Sequence, residues 1–177
     1  MEKHISLPLN EKDILDLKAG DYVYLDGVMF SARDAAHNRM QEGIPFDIQN
    51  QTIYYLGPSP AREGNVIGSA GPTTSSRMDK YTPRLLDMGL RGMIGKGKRS
   101  KEVIEAIVRN KAVYFAAVGG AGAILSKCIT SSDVIAYEDL GPEAVRKLTV
   151  KNFPVIVVID SYGNNLYETA VESFKES

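Results

Sequence analysis

The run SKEVIEAIVRNKAVYFAAV (100–118) restricts the fold more than any other part of the chain. Its first half places apolar residues at 103, 104, 107 and 108, an i, i+1, i+4, i+5 stripe that predicts an amphipathic helix. Its second half, KAVYFAAV (111–118), is almost wholly apolar and predicts a strand covered on both faces. A helix leading straight into a doubly covered strand belongs to an α/β architecture with a central, at least partly parallel sheet.

The rest of the chain repeats the alternation. Asn10 predicts a helix cap, with Leu9 stapling onto Ile14 and Gly20 ending the helix. DYVYLDGVMF (21–30) reads as strand, ARDAAHNRMQEG (32–43) as helix, TIYYLG (52–57) as strand and NVIGSA (65–70) as a short strand. Pro83 suits the first turn of a helix that Gly89 ends, and RGMIGKG (91–97) reads as strand. GGAG (119–122) turns into helix AILSKC, and a helix PEAVRKL (142–148) precedes a last strand FPVIVVID (153–160). No repeat, low-complexity tract or linker interrupts the pattern, so residues 1–177 read as a single domain.

In this alternation Arg33, Thr73, Lys96 and Gly119 each come just after a predicted strand and at or before a helix start. Open α/β sheets gather ligands at the carboxyl ends of their strands, where free N–H groups favour anions. The charge agrees with that placement. The chain carries a net −1, but Gly71–Lys101 holds eight basic and two acidic residues, +6 against −7 elsewhere. A field of this kind concentrates anions, and it is equally the charge of a solvated basic face. Nucleic acid is not expected, because the chain is not basic overall and Tyr81 is the one aromatic residue in the stretch.

Further absences narrow the setting. No run approaches the roughly 18 apolar residues of a membrane span, and MEKHISLPLN has no apolar signal core. The single Cys128, expected buried and inert within a helix, rules out a disulfide framework and an all-cysteine metal site in this chain. A reduced, cytoplasmic location without membrane attachment is the expectation.

GSAGPTTSSRMD (68–79) is the densest chemical run. Its glycines permit close backbone approach, Thr73, Thr74, Ser75 and Ser76 offer four hydroxyls, and Arg77 adds a planar fork suited to a carboxylate or phosphate. The same residues would serve a well-capped helix. His37, one helical turn after Arg33, reads as a solvent-facing or supporting histidine. Neither GGAG nor GKGKRS (95–100) has the spacing of a dinucleotide fingerprint or a P-loop.

GPTTSSRMDKY (71–81), followed at 94–97 by IGKG, resembles the signature of the C-terminal domain of class I fumarases. In two-subunit members, L-tartrate dehydratase among them, that region is a separate β subunit. SARDAAHNRM (31–40), AVGGAGAILSKCI (117–129) and YEDLGPEAVRKLTVKNFPVIVVID (137–160) resemble further family segments in the same order, so the likeness covers nearly the whole chain. It implies a swivelling β/β/α domain. It also implies that Thr73 abstracts a proton and that Arg33, Arg77 and Lys96 hold the carboxylates of a dicarboxylate substrate. Some members have Ala-Gly where this chain has Ser75-Ser76, a departure expected to change packing or substrate shape more than charge. The resemblance further implies a 4Fe–4S cluster bound by cysteines of a partner α subunit and not by this chain, in an α₂β₂ assembly. The expected reaction interconverts malate and fumarate, with tartrate dehydration as the alternative. A stand-alone anion- or nucleotide-binding module is the competing reading.

Overall fold

The computed structural model describes residues 2–118 and 122–168. Its first half comprises β1 (Glu2–Ser6), α1 (Glu11–Asp16), β2 (Tyr22–Ser31), α2 (Asp34–Arg39) and β3 (Thr52–Tyr54). Then follow α3 (Thr82–Asp87), β4 (Gly92–Gly95), α4 (Lys101–Asn110), β5 (Val113–Ala117), α5 (Gly122–Ser126), β6 (Ile129–Ala136) and β7 (Val145–Ile159). β2 pairs in parallel with β3, β3 with β4, and β4 with β5. β7 then runs antiparallel to both β5 and β2, which closes these five strands into a barrel-like ring. β1 and β6 extend the sheet beside the two long strands, on β2 and β7 respectively. The sheet is therefore mixed, with its parallel strands ending at one edge.

Closure sorts alternate side chains into two cores. Leu25, Met29, Tyr54, Ile94, Phe115 and Phe153 share one with Leu9 and Ile14 beside α1 and with Leu125 of α5. Ile53, Tyr55, Met93 and Tyr114 face the other way, against Leu85, Leu86, Val103 and Ile107 of α3 and α4. Val113, Tyr114 and Phe115 are all fully buried, as a doubly covered strand requires.

The caps explain the helix starts. Asn10 accepts the Asp13 N–H at 2.8 Å, and Ser100 accepts the Val103 N–H at 3.3 Å. α1 stops at Asp16, before Gly20, because Leu17 is already extended. In α4 the buried stripe is Val103, Ala106 and Ile107, while Val108 is 43% exposed. The apolar face is thus turned relative to the one the spacing predicts.

Two expectations are corrected, and one strand is new. PEAVRKL is not a helix: a 3-10 turn over Glu138–Glu143 leads into β7. Gly141 and Pro142 interrupt helical geometry there, and β7 finds hydrogen-bonding partners on both edges. Val145 and Leu148 bury into different cores, which a strand allows. NVIGSA forms no strand, and its Val66 is 47% exposed. β1 escaped sequence reading because only Ile5 of its five residues is buried, which leaves no alternation to detect. The GGAG turn lies largely outside the described residues.

The turned stripe of α4 is testable. Ile107→Ala is expected to lower stability by about 2–5 kcal/mol, and Val108→Ala to change it by about 0.5 kcal/mol or less. Urea midpoints of the two variants check this; equal losses would restore the stripe read from spacing.

Candidate active site

The site is built where β3 and β4 end. Thr73 N–H donates to Tyr55 O at 2.9 Å, Thr74 bridges Lys96 in parallel, and Ser75 N–H donates to Lys96 O at 2.8 Å. The segment 73–75 is thereby held between the outgoing ends of two strands before the 3-10 turn Ser75–Met78. Ser75 is buried, and its hydroxyl lies 2.7 Å from Tyr114 OH, which donates to Gly97 O at 2.8 Å. The Ser75 hydroxyl fills the space a β-carbon on residue 95 would need, so glycine is required there. The hydroxyl at position 75 thus serves packing.

Arg77 Nη2 donates to Thr73 Oγ1 at 2.7 Å, and its Nε stands 3.3 Å from Asp34 Oδ2. Arg33 follows β2 at the start of α2. Its side chain crosses the backbone at Gly57, where a β-carbon would come within 2.6 Å of Arg33 Cδ. Glu143 Oε1 accepts the Ala35 N–H at 3.2 Å and lies 4.0 Å from Arg33 Nε. Lys96 is exposed at the end of β4. Of the four residues singled out in sequence, Thr73 and Arg77 are directly bonded. Arg33 joins them through its neighbour Asp34, and Lys96 through backbone pairing. Gly119 lies outside the described residues.

A cation donating to a hydroxyl oxygen favours the alkoxide over the alcohol. The arrangement can therefore sharpen the Thr73 hydroxyl as a proton acceptor. Arg33 and Lys96 add two further cations just past the ends of β2 and β4, a charge suited to an anion.

The +6 stretch divides. Arg99 is 7% exposed and belongs to the interior. Its Nε donates to Asp79 Oδ1 at 2.7 Å, and its Nη2 to Tyr55 OH and Thr82 Oγ1, each at 3.0 Å. The guanidinium also lies over the Tyr114 ring, 4.7 Å from its centroid. Arg99 is an internal anchor, while Arg77, Lys80, Arg84, Lys96, Lys98 and Lys101 carry the exposed charge.

His37 is neither solvent-facing nor charged at neutral pH. It is 1% exposed, with Nδ1 at 2.8 Å from Arg33 O and Nε2 without a partner among the described residues. That contact makes Nδ1–H the donor and leaves Nε2 bare. Burial, aided by the Arg99 charge, pushes its pKa down to about 4. Asp34, Glu143, Tyr55 and Tyr114 were not singled out from sequence. Asp34 had one available signal, its place beside Arg33 in SARDAAH.

Cys128 lies in the turn after α5 rather than within a helix, half-buried, and burial raises its thiol pKa. Among the described residues no group of three or more His, Cys, Asp or Glu side chains could hold a metal ion. One thiol does not meet the ligand demand of an iron–sulfur cluster. No helix is long and apolar enough to cross a membrane among the described residues.

The depressed histidine has a sign that can be checked. The unfolded chain binds the proton near pH 6.5 and the folded one near 4. His37 therefore contributes fully above pH 6.5, and about 3 kcal/mol is lost as pH falls towards 4. His37→Gln should remove that part of the pH dependence of the urea midpoint. An unchanged pH profile would contradict a buried neutral imidazole.

The chain has clear relatives. A family model described as Fumarase C-terminus matches residues 1–170. A protein of Methanocaldococcus jannaschii with the provisional name L(+)-tartrate dehydratase subunit beta is 38% identical over 172 residues, which is 90% of this chain and 88% of that protein. Fumarate hydratase class I, aerobic, from Escherichia coli is 36% identical over 152 residues, 81% of this chain and 28% of that protein. Fumarate hydratase 2 from Leishmania major is 38% identical over 156 residues, 84% of this chain and 28% of that protein. The chain thus spans most of the first relative and under a third of the other two.

Proposed function

This chain belongs to the fumarase C-terminus family, and we propose that it is the β subunit of an iron–sulfur-dependent hydro-lyase interconverting (S)-malate with fumarate and water. One observation carries the reading: Arg77 donates to the Thr73 hydroxyl at the strand edge that Arg33 and Lys96 share. In the proposed reaction Arg33, Arg77 and Lys96 neutralise and orient the two carboxylates of the substrate. Thr73, as the alkoxide that the Arg77 guanidinium favours, takes the proton from the carbon beside one carboxylate and becomes the alcohol. Negative charge then grows on that carboxylate, where the cations stabilise the transition state more than the ground state. The C–H electron pair becomes the new double bond as hydroxide leaves from the adjacent carbon, and that hydroxide together with the proton held by Thr73 makes the water released.

The residues of this chain do not fit the 4Fe–4S cluster, so the proposal assigns the cluster to an α subunit. The site then lies at the subunit interface of a cytoplasmic α₂β₂ enzyme. The whole chain acts as one domain of the swivelling β/β/α type. The relative matched over most of its length carries a tartrate dehydratase name. L(+)-tartrate, which needs the same clamp, is therefore the alternative substrate.

The chain, tagged and captured anaerobically from its native cells, should bring down an iron-containing partner and hydrate fumarate or dehydrate tartrate. Separately purified, it should hold no cluster and turn nothing over. Within the captured complex Arg33→Met and Lys96→Met should each lower kcat/KM by about 10²–10³-fold. Capture without an iron protein or activity towards fumarate, malate or tartrate would overturn the reading. Tight dicarboxylate or nucleotide binding by the isolated chain would then mark it as a non-catalytic module.

A further inference from the structure

We infer that Asp34 is a positioning residue of this site, one that holds the Arg77 guanidinium by its Nε edge and so aims Nη2 at the Thr73 hydroxyl. The inference rests on the hydro-lyase reading and extends it to a residue outside the anion clamp. A guanidinium is planar, with its donors in a fixed fork, so a carboxylate on one edge sets the direction of the others. Asp34 Oδ2 lies 3.3 Å from Arg77 Nε while Arg77 Nη2 reaches Thr73 Oγ1 at 2.7 Å. The Nη1 side remains available to a substrate carboxylate. The Arg77 side chain is 49% exposed, and among the described residues Asp34 is the one carboxylate paired with it. Without that partner the long side chain is free to follow the substrate instead of the threonine.

Asp34 is itself held in place. It opens α2, whose first turn is fixed from two directions. Glu143 Oε1 accepts the Ala35 N–H at 3.2 Å, and Arg33 O receives both the His37 N–H and the His37 Nδ1–H at 2.8 Å. The other oxygen of Asp34, Oδ1, is buried with no hydrogen-bond partner among the described residues, and the helix start has no side-chain cap. Among the described residues its one ion pair is to the arginine that holds Thr73. This is the arrangement of a preorganised site, where a supporting side chain fixes the one that touches the reacting group.

The test uses the assembled enzyme. Asp34→Ala should lower kcat by about 100-fold, as a misaimed activating group does, while KM for the dicarboxylate stays near the wild-type value. Asp34→Asn, which keeps an acceptor oxygen, should recover part of kcat. In a crystal structure of the assembled Asp34→Ala protein, Arg77 Nη2 should have left Thr73 Oγ1. Wild-type kcat in Asp34→Ala overturns the proposal, as do equal losses in the two variants accompanied by a lowered melting temperature. If the wild-type complex turns over no dicarboxylate, the hydro-lyase reading fails separately. The Arg77–Thr73 contact in the variant crystal then decides the positioning claim alone, and its persistence overturns it.

Discussion

The buried ion pair between Arg99 and Asp79 ties the active edge to the barrel. A guanidinium taken out of water is strongly unfavourable unless its donors are met, and removing one partner of such a pair leaves an uncompensated charge. Arg99 meets the demand with Asp79, Tyr55, Thr82 and a place over the Tyr114 ring. Asp79 in turn accepts the N–H of Ser100, the residue that caps α4. Strands β3 and β5, helices α3 and α4 and the turn carrying Arg77 therefore converge on one side chain. Ser75 and Met78 of that turn are buried, and Asp79 at its end is set by Arg99 from beneath.

The ring closure then explains why one edge collects the chemistry. Parallel strands β2, β3 and β4 all deliver their carboxyl ends to it, bringing Arg33, Gly57, Thr73 and Lys96 from separate stretches of chain. β7 reverses direction and seals the ring against β2 and β5 without contributing a residue to the clamp. In the proposed chemistry the barrel is scaffold and the connections after its strands carry the function, a division common where rigid elements present reactive loops. The proposed chemistry uses the geometry directly. A hydroxyl becomes a useful base only beside a fixed cation, and the cation is fixed only if its own partners are.

Arg33, Thr73 and Lys96 were singled out in sequence as residues following predicted strands, and Thr73 and Arg77 as members of one hydroxyl-rich run. The strand expected before Thr73 does not form, and the Thr73 N–H is held instead by Tyr55 O, just past β3. The α/β class was legible from Val113–Val118 and the helix before it. β7 was misread at its start because Val145 and Leu148 fit helical spacing, and only pairing along both edges makes them strand. Ring closure depends on those same long-range pairings. Arg99 looked like one more surface cation because its burial needs two tyrosines from separate strands. Asp34 was passed over because its partner Arg77 is close only in space. His37 was expected to face solvent or to support the site, and the enclosure by Tyr55 and Tyr81 that removes the first of these is likewise tertiary.

The central claim is that the Thr73 hydroxyl, held by Arg77, moves the proton. Exchange of the methylene hydrogen of malate with deuterated solvent, followed in the assembled enzyme, tests it most directly. The account expects wild-type enzyme to exchange that hydrogen, and Thr73→Val to bind malate with unchanged affinity while exchange and turnover fall together. Exchange at the wild-type rate in Thr73→Val would contradict it and place the base on another residue.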